Sequence, residues 1–245
     1  MKRSTDPRPP RRPSLRSRFW GLHAEGIVGP GAFFYDKFSG SRIFQKHYER
    51  VAKDILNYCP AGRLLDVGTG PGRLLIKIHE VAPDLDLVGL DTSPEMVEKA
   101  RRHVAEAELS NKITFEVGNA GRMPFPDSSF DAALSTASIH HWKDPIAGLN
   151  EMYRVLKPGG HALLYDLVRG MPKETLKEAR REFGALRVTL LWLHAFEEPF
   201  YTQEKLEALA AASLFKSSTT HFVGLFCCIA MRRTHDCCQA RNRDM

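Results

Sequence analysis

Leu64-Leu65-Asp66-Val67-Gly68-Thr69-Gly70-Pro71-Gly72-Arg73 reads as a buried strand that runs into a glycine-rich turn and then a helix. Glycines let the backbone turn sharply and let a ligand approach the main chain. The first turn of the following helix offers unpaired N–H groups that suit an anion. A dinucleotide fingerprint, G-x-G-x-x-G, needs its last glycine where Arg73 stands, so that pattern fails. What stands here is D-x-G-x-G-x-G.

Outward from this turn, strand-like and helix-like segments alternate from about residue 41, the signature of a parallel α/β sheet. Ile43, Phe44, Tyr48, Val51 and Ile55 recur at helical spacing. Strands are predicted at 63–67, 85–90, 113–117, 130–135 and 161–167. Ser93 caps a helix that has Pro94 at its first position, where a missing N–H costs nothing. A helix marked by Ile146, Leu149, Met152 and Leu156 ends in the turn Lys157-Pro158-Gly159-Gly160. Residues 173–195 and 202–212 read as helices, and 215–221 and 225–231 as strands of a closing hairpin around Val223-Gly224.

The second strand ends in Gly89-Leu90-Asp91, 25 residues after Asp66. An acidic side chain at that tip can accept both hydroxyl protons of a ribose. Met96 lies on the next helix, where it can pack on a base or in the core. Gly118-Asn119-Ala120 follows the third strand. Then come Met123-Pro124-Phe125-Pro126-Asp127-Ser128-Ser129-Phe130-Asp131 and Glu151-Met152-Tyr153-Arg154-Val155-Leu156-Lys157-Pro158-Gly159-Gly160. These four motifs, in this order, resemble class I S-adenosylmethionine-dependent methyltransferases. The resemblance is to the ubiquinone/menaquinone-biosynthesis-like branch, methyltransferase type 11, and covers residues 33–167 best.

That resemblance implies a doubly wound, Rossmann-like α/β fold with seven strands, mostly parallel with the last antiparallel. It implies S-adenosyl-L-methionine as cofactor, held by Tyr35, Asp66, Gly68, Thr69, Gly70, Gly72, Asp91, Thr92, Met96, Asn119, Ala120 and Ser135. Asn119 departs from the acid common at its position, though an amide oxygen still accepts a hydrogen bond. The fourth strand tip, Ser135-Thr136-Ala137-Ser138-Ile139-His140-His141-Trp142, faces the reaction site. It lacks the Asn/Asp-Pro-Pro-aromatic motif of nucleic-acid amino methylases, the cysteine of RNA cytosine-C5 enzymes and the paired glutamates of protein arginine enzymes. His140 and His141 are the catalytic candidates, as a general base for a phenol, hydroxyl or acidic carbon. His194 and Asp166 are weaker ones. Asp131, at the start of its strand, reads as structural.

Net positive charge is confined to the ends. The chain has 245 residues and net charge +6, but residues 1–18 carry +6, residues 232–245 carry +2 and the body between them −2. The domain reading is a disordered basic tail over 1–18, a methyltransferase domain over 19–231 and a C-terminal tail over 232–245. Within the domain, 41–167 is the cofactor core and 171–213 the substrate-side helices. No apolar run reaches the roughly 18 residues needed to span a bilayer, and the N-terminus lacks the apolar segment of a secretory signal. Prolines 7, 9, 10 and 13 would break the amphipathic helix of a mitochondrial import signal, so the expected location is cytoplasmic, with mitochondrial import as the alternative. The five cysteines include two adjacent pairs, Cys227-Cys228 and Cys237-Cys238, that match no zinc pattern and suggest a reducing compartment.

The expected activity is methyl transfer to a small-molecule acceptor, apolar if residues 185–201 roof the pocket. Two rival readings remain. One is an RNA or protein methyltransferase that docks through the basic tails. The other is a methyltransferase-fold protein that binds or regulates without turnover. Neither the acceptor nor an oligomeric state is set by the sequence.

Overall fold

Apolar residues at helical spacing make Arg42–Ile55 a helix, α1, in the computed structural model, with Phe44, Tyr48, Val51, Ala52 and Ile55 as its buried stripe. The structure describes residues 22–23, 26–27, 40–186, 188–189 and 200–234. The 1–18 tail, Tyr35, His194 and Cys237-Cys238 lie outside the described residues. After α1 come β1 (Arg63–Val67), α2 (Arg73–Val81), β2 (Asp86–Asp91), α3 (Pro94–Glu106) and β3 (Ile113–Val117). Then follow β4 (Phe130–Thr136), a 3-10 turn (Ile139–His141), α4 (Pro145–Val155) and β5 (Leu156–Asp166). The described chain closes with α5 (Lys173–Phe183), α6 (Gln203–Ala212), β6 (Thr219–Val223) and β7 (Phe226–Arg232). Among the described residues no helix is long and apolar enough to cross a membrane.

These seven strands form one sheet in the order β3-β2-β1-β4-β5-β7-β6, apart from a short antiparallel pair of Leu22–His23 with Gly26–Ile27. Only β7 runs antiparallel, to β5 on one side and β6 on the other. This is the doubly wound sheet the sequence implied. Its central strands are near-continuous apolar runs because helices cover both faces. Leu64, Leu134 and Tyr165 face α1, α2 and α3, while Leu65, Ala133 and Leu164 face α4 and α6. Each large apolar side chain so buried contributes about 1.5–3 kcal/mol. The order of strands reverses between β1 and β4, which opens a crevice beyond their C-terminal ends.

Helix starts follow their caps. Ser93 Oγ accepts from Met96 N, with Pro94 at the first helical position, and Asp144 Oδ1 accepts from Ala147 N ahead of Pro145. Four boundaries differ from the sequence reading. Lys157-Pro158-Gly159-Gly160 is not a free turn but the first part of β5, where a register shift opposite Phe130–Ala132 tolerates a proline. A Cβ on Gly160 would lie 2.7 Å from Asp131 O, so the bulge needs a glycine there. The helical segment expected over 173–195 is broken at Gly184, whose φ is 86°, and helix resumes at residues 185–186 and 188–189. The strand expected at 215 starts at Thr219 because buried Phe215 anchors a turn and Lys216 takes φ 66°.

The C-terminal boundary also moves. Arg232 ends β7, and Arg233, assigned by sequence to the tail, is hydrogen-bonded into the fold. Its backbone exchanges bonds with Gly160 O (2.8 Å) and Gly159 N (2.9 Å). Its guanidinium donates to Ser128 Oγ and to the carbonyls of Tyr153, Arg154 and Leu156. Asp131 is structural, as expected: it accepts from Arg63 N at 2.8 Å and pairs with Lys157 at 2.8 Å. Burial works against that carboxylate, but the Lys157 ammonium and the Arg63 N–H outweigh it and hold its pKa low.

Candidate active site

The turn after β1 is shaped by glycines in the left-handed region: Gly68 (φ 77°), Gly70 (φ 53°) and Gly72 (φ 73°). Gly68 N and Thr69 N both donate to Leu90 O, at 2.7 and 3.0 Å, so the turn is tied to the tip of β2. A Cβ on Gly68 would lie 1.9 Å from Ser138 Oγ, in the loop after β4. The two loops therefore close on each other only because position 68 has no side chain. Gly72, read from the sequence as cofactor-binding, is not among the cleft residues. It caps α2, and a Cβ there would meet Ala100 and the Phe115 ring at 2.9 Å, so it packs the turn onto α3 and β3.

Asp91 ends β2 beside this turn. Its Oδ2 accepts from Gly70 N and its Oδ1 from Ser93 N, both at 2.9 Å. Burial raises its pKa, against the lowering effect of the Ser93, Gly70 and Thr92 N–H groups. Asp66, on β1, is 2% exposed. Burial pushes its carboxyl up to about 7, and the Asp91 charge adds to the rise. Among the described residues, buried Asp66 Oδ1, Thr69 Oγ1, Ser135 Oγ and Thr136 Oγ1 have no hydrogen-bond partner. All four stand at β1, β4 or the turn after β1, beside the crevice.

A cleft of about 310 Å³ opens in front of these groups. Of the sequence-predicted residues, Gly68, Gly70, Asp91, Thr92, Met96, Asn119, Ala120 and His141 line it. Asp66, Thr69, Ser135 and His140 are buried and are not part of its wall. Met96 is only 2% exposed, so it serves core and cleft together. Asn119 Oδ1 accepts from Gly121 N at 2.7 Å, which leaves one lone pair of that oxygen for a ligand. The sequence reading missed Leu90, Arg122 and Lys143 as cleft residues, and it placed Ser138 and Trp142 at the reaction site only as part of the β4 tip. Trp142 was the legible one, an aromatic just past the β4 tip. Its Nε1 donates to Ser138 Oγ at 3.1 Å, and its ring lies where a Cβ on Gly148 would come within 2.4 Å.

The two histidines take different places. His141 lines the cleft. His140 lies behind it, 7% exposed, with its ring 4.0 Å from that of His141 and 4.1 Å from that of Phe200. His140 Nδ1 is 2.9 Å from Asp166 Oδ2, at the end of β5, while Asp166 Oδ1 accepts from Leu167 N. Asp166 thus holds one ring nitrogen as a donor.

The donor set fits a nucleoside bearing an amino-acid chain. Asp91 stands at a strand tip with lone pairs left for two hydroxyls. The glycine turn lets a ligand approach the main chain at Gly68 and Gly70, and Asp66, buried behind the wall, suits a positive charge in front of it. A 310 Å³ cleft is large enough for such a ligand.

Comparison with known proteins agrees with this geometry. A family profile described as a methyltransferase domain matches residues 65–164. A ubiquinone/menaquinone biosynthesis C-methyltransferase of Geotalea daltonii is 37% identical over 189 residues, covering 72% of this chain and 80% of that protein. A demethylmenaquinone methyltransferase of Deinococcus radiodurans is 42% identical over 116 residues, and there the chain spans about half of the relative's length (47%). The solved structure of an S-adenosylmethionine-dependent methyltransferase from Aquifex aeolicus shares the fold, with TM-score 0.61 and 19% identity over 83% of this chain and 98% of that one. The strand order, the cleft at the switch point and the length of the Geotalea match together place the chain in the class I S-adenosylmethionine-dependent methyltransferases, in the ubiquinone/menaquinone-biosynthesis-like (methyltransferase type 11) family.

Proposed function

We propose that the protein transfers a methyl group from S-adenosylmethionine to a small molecule carrying an acidic hydroxyl or carbon, bound at the tip of β4. The observation that carries this reading is the meeting of Asp91, the glycine turn and His141 in one cleft. The names of its relatives point to a demethylated quinol as the acceptor to assay first.

When bound, the cofactor supplies an electrophilic methyl group on a sulfonium. Asp91 would accept hydrogen bonds from the ribose hydroxyls, Gly68 and Gly70 would bring the main chain against the amino-acid end, and Asp66, behind the wall, would balance the ammonium charge. Met96, Asn119 and Ala120 hold the base. His141 takes the hydroxyl proton of the acceptor, which puts negative charge into the ring at the carbon to be methylated. His140, fixed by Asp166, holds the His141 ring in place from behind. Alignment in a water-poor cleft does most of the remainder.

The test is calorimetric binding of S-adenosylhomocysteine, followed by methyl transfer to a demethylmenaquinol. Micromolar binding (about −8 kcal/mol), lost in Asp91→Ala, together with turnover supports the proposal. Absence of binding by folded wild-type protein overturns it. Binding without transfer to any small quinol, phenol or acidic-carbon acceptor rejects the acceptor class and favours a protein that binds without turnover.

A further inference from the structure

Register places three polar side chains in one row on the face of the sheet that α1 covers. Tyr165 on β5 pairs with Cys228 on β7, and Cys228 pairs with His221 on β6. Directly cross-strand residues share a face and stand close together. Above this row lies Asp54, in the last turn of α1. Its Oδ2 accepts from Tyr165 OH at 2.8 Å and from His221 Nε2 at 2.9 Å. One carboxylate oxygen of Asp54, one ring nitrogen of His221 and the sulfur of Cys228 all lie within 4.8 Å of one another.

We propose that Asp54, His221 and Cys228 bind a borderline divalent transition-metal ion, of which zinc is the type. Imidazole, thiolate and carboxylate are a donor set that such an ion accepts at about 2.0–2.3 Å. The ion takes the position now bridged by the His221–Asp54 hydrogen bond. The Nε2 proton passes to Nδ1, the thiol proton leaves to solvent, and the sulfur binds as thiolate. Two anionic ligands then balance the two positive charges. Tyr165 OH keeps its bond to the Asp54 carboxylate and orients it.

Two features favour an ion over a plain hydrogen-bonded cluster. Cys228 is fully buried and forms no disulfide, so its sulfur is held rigidly toward the site. The side chains of His221 and Asp54 keep 34% and 16% of their exposure, which gives an ion a way in and leaves a coordination position to water. The site joins α1 to β6 and β7, so it would clamp the antiparallel edge of the sheet, independently of the methyl-transfer cleft.

The experiment is titration of the full chain, carrying Cys237→Ser and Cys238→Ser to remove the terminal thiols, with cobalt(II) and then zinc(II). One equivalent of cobalt should give a thiolate-to-metal charge-transfer absorption, and zinc should displace it and raise the melting temperature. Cys228→Ala should abolish the absorption, and Cys59→Ala should leave it intact. His221→Ala, a partly exposed change on the edge strand, should weaken binding about 10- to 100-fold, and it decides the matter if Cys228→Ala does not fold. A folded protein that gives no thiolate band with stoichiometric cobalt overturns the proposal, as does a band that survives both Cys228→Ala and His221→Ala.

Discussion

His140 Nδ1 stands 2.9 Å from Asp166 Oδ2, and both side chains are 2% exposed. A buried carboxylate on one ring nitrogen fixes the tautomer and the tilt of the imidazole, as in triad chemistry. The His140 ring in turn abuts His141, which faces the cleft. Asp166→Asn should therefore lower kcat for methyl transfer by about tenfold or more and leave KM for S-adenosylmethionine unchanged, whereas His141→Ala should cost about 10²- to 10⁴-fold. Steady-state kinetics on both variants checks this. Equal losses in kcat and cofactor affinity for Asp166→Asn would show only a structural role.

This pair also shows what the sequence hides. His140 and Asp166 were each visible as candidates, but they sit 26 residues apart, in the turn after β4 and at the end of β5, and only the parallel pairing of those strands brings them together. The glycine turn and Asp91 were legible because their function depends on local backbone: a strand end, a left-handed turn, a helix start. Ser138 under Gly68 was not, since the contact crosses 70 residues of chain. Gly184 and the 157–160 segment were misread for the opposite reason. Local signals there pointed to continuing helix and to a turn, and tertiary pairing with β4 and Arg233 decided the latter.

Asp66 carries a linked pair of outcomes. Its carboxyl titrates near 7 in the folded protein and near 4 when unfolded. The folded state therefore binds the extra proton between those values, so this group makes stability fall as pH rises from about 4 to 7 and then level off. Asp66→Asn removes that penalty. Its melting temperature should exceed wild type at pH 8 by several degrees, with little difference at pH 4. Thermal melts across this range check the sign, and a gain of equal size at both pH values would contradict it.

The same group should couple cofactor binding to protons. An ammonium beside Asp66 favours the ionised carboxylate, so S-adenosylhomocysteine should bind more tightly as pH rises from 6 to 8. Near pH 7 it should release a fraction of a proton. Calorimetry in two buffers of different ionisation enthalpy measures this release. Asp66→Asn should abolish it and weaken binding, and release that persists in the variant would assign the proton elsewhere.

Gly68 tests the turn itself. A Cβ there meets Ser138 Oγ at 1.9 Å, at a φ that side chains avoid. Gly68→Ala should cost about 1–3 kcal/mol of stability and weaken S-adenosylhomocysteine by more than tenfold, because the turn must shift away from Leu90 O. Gly68→Ala combined with Ser138→Gly relieves the contact but not the φ. It should recover part of the affinity, and a double variant no better than Gly68→Ala would place the whole cost in the backbone.

Trp142 supplies a direct reporter. Its indole lines the cleft and is held by Ser138 Oγ at 3.1 Å on one side and the bare backbone of Gly148 on the other. A ligand entering the cleft replaces solvent next to that ring, so S-adenosylhomocysteine should change its emission in a saturable way. Trp142→Phe should remove the change while calorimetry still detects binding. Gly148→Ala pushes a methyl group into the ring and should shift the indole into the cleft, with affinity reduced about tenfold or more, on the scale of the 1–3 kcal/mol that overpacking costs. If Gly148→Ala binds as wild type does, the Trp142 ring can move aside freely and does not shape the cofactor end of the cleft.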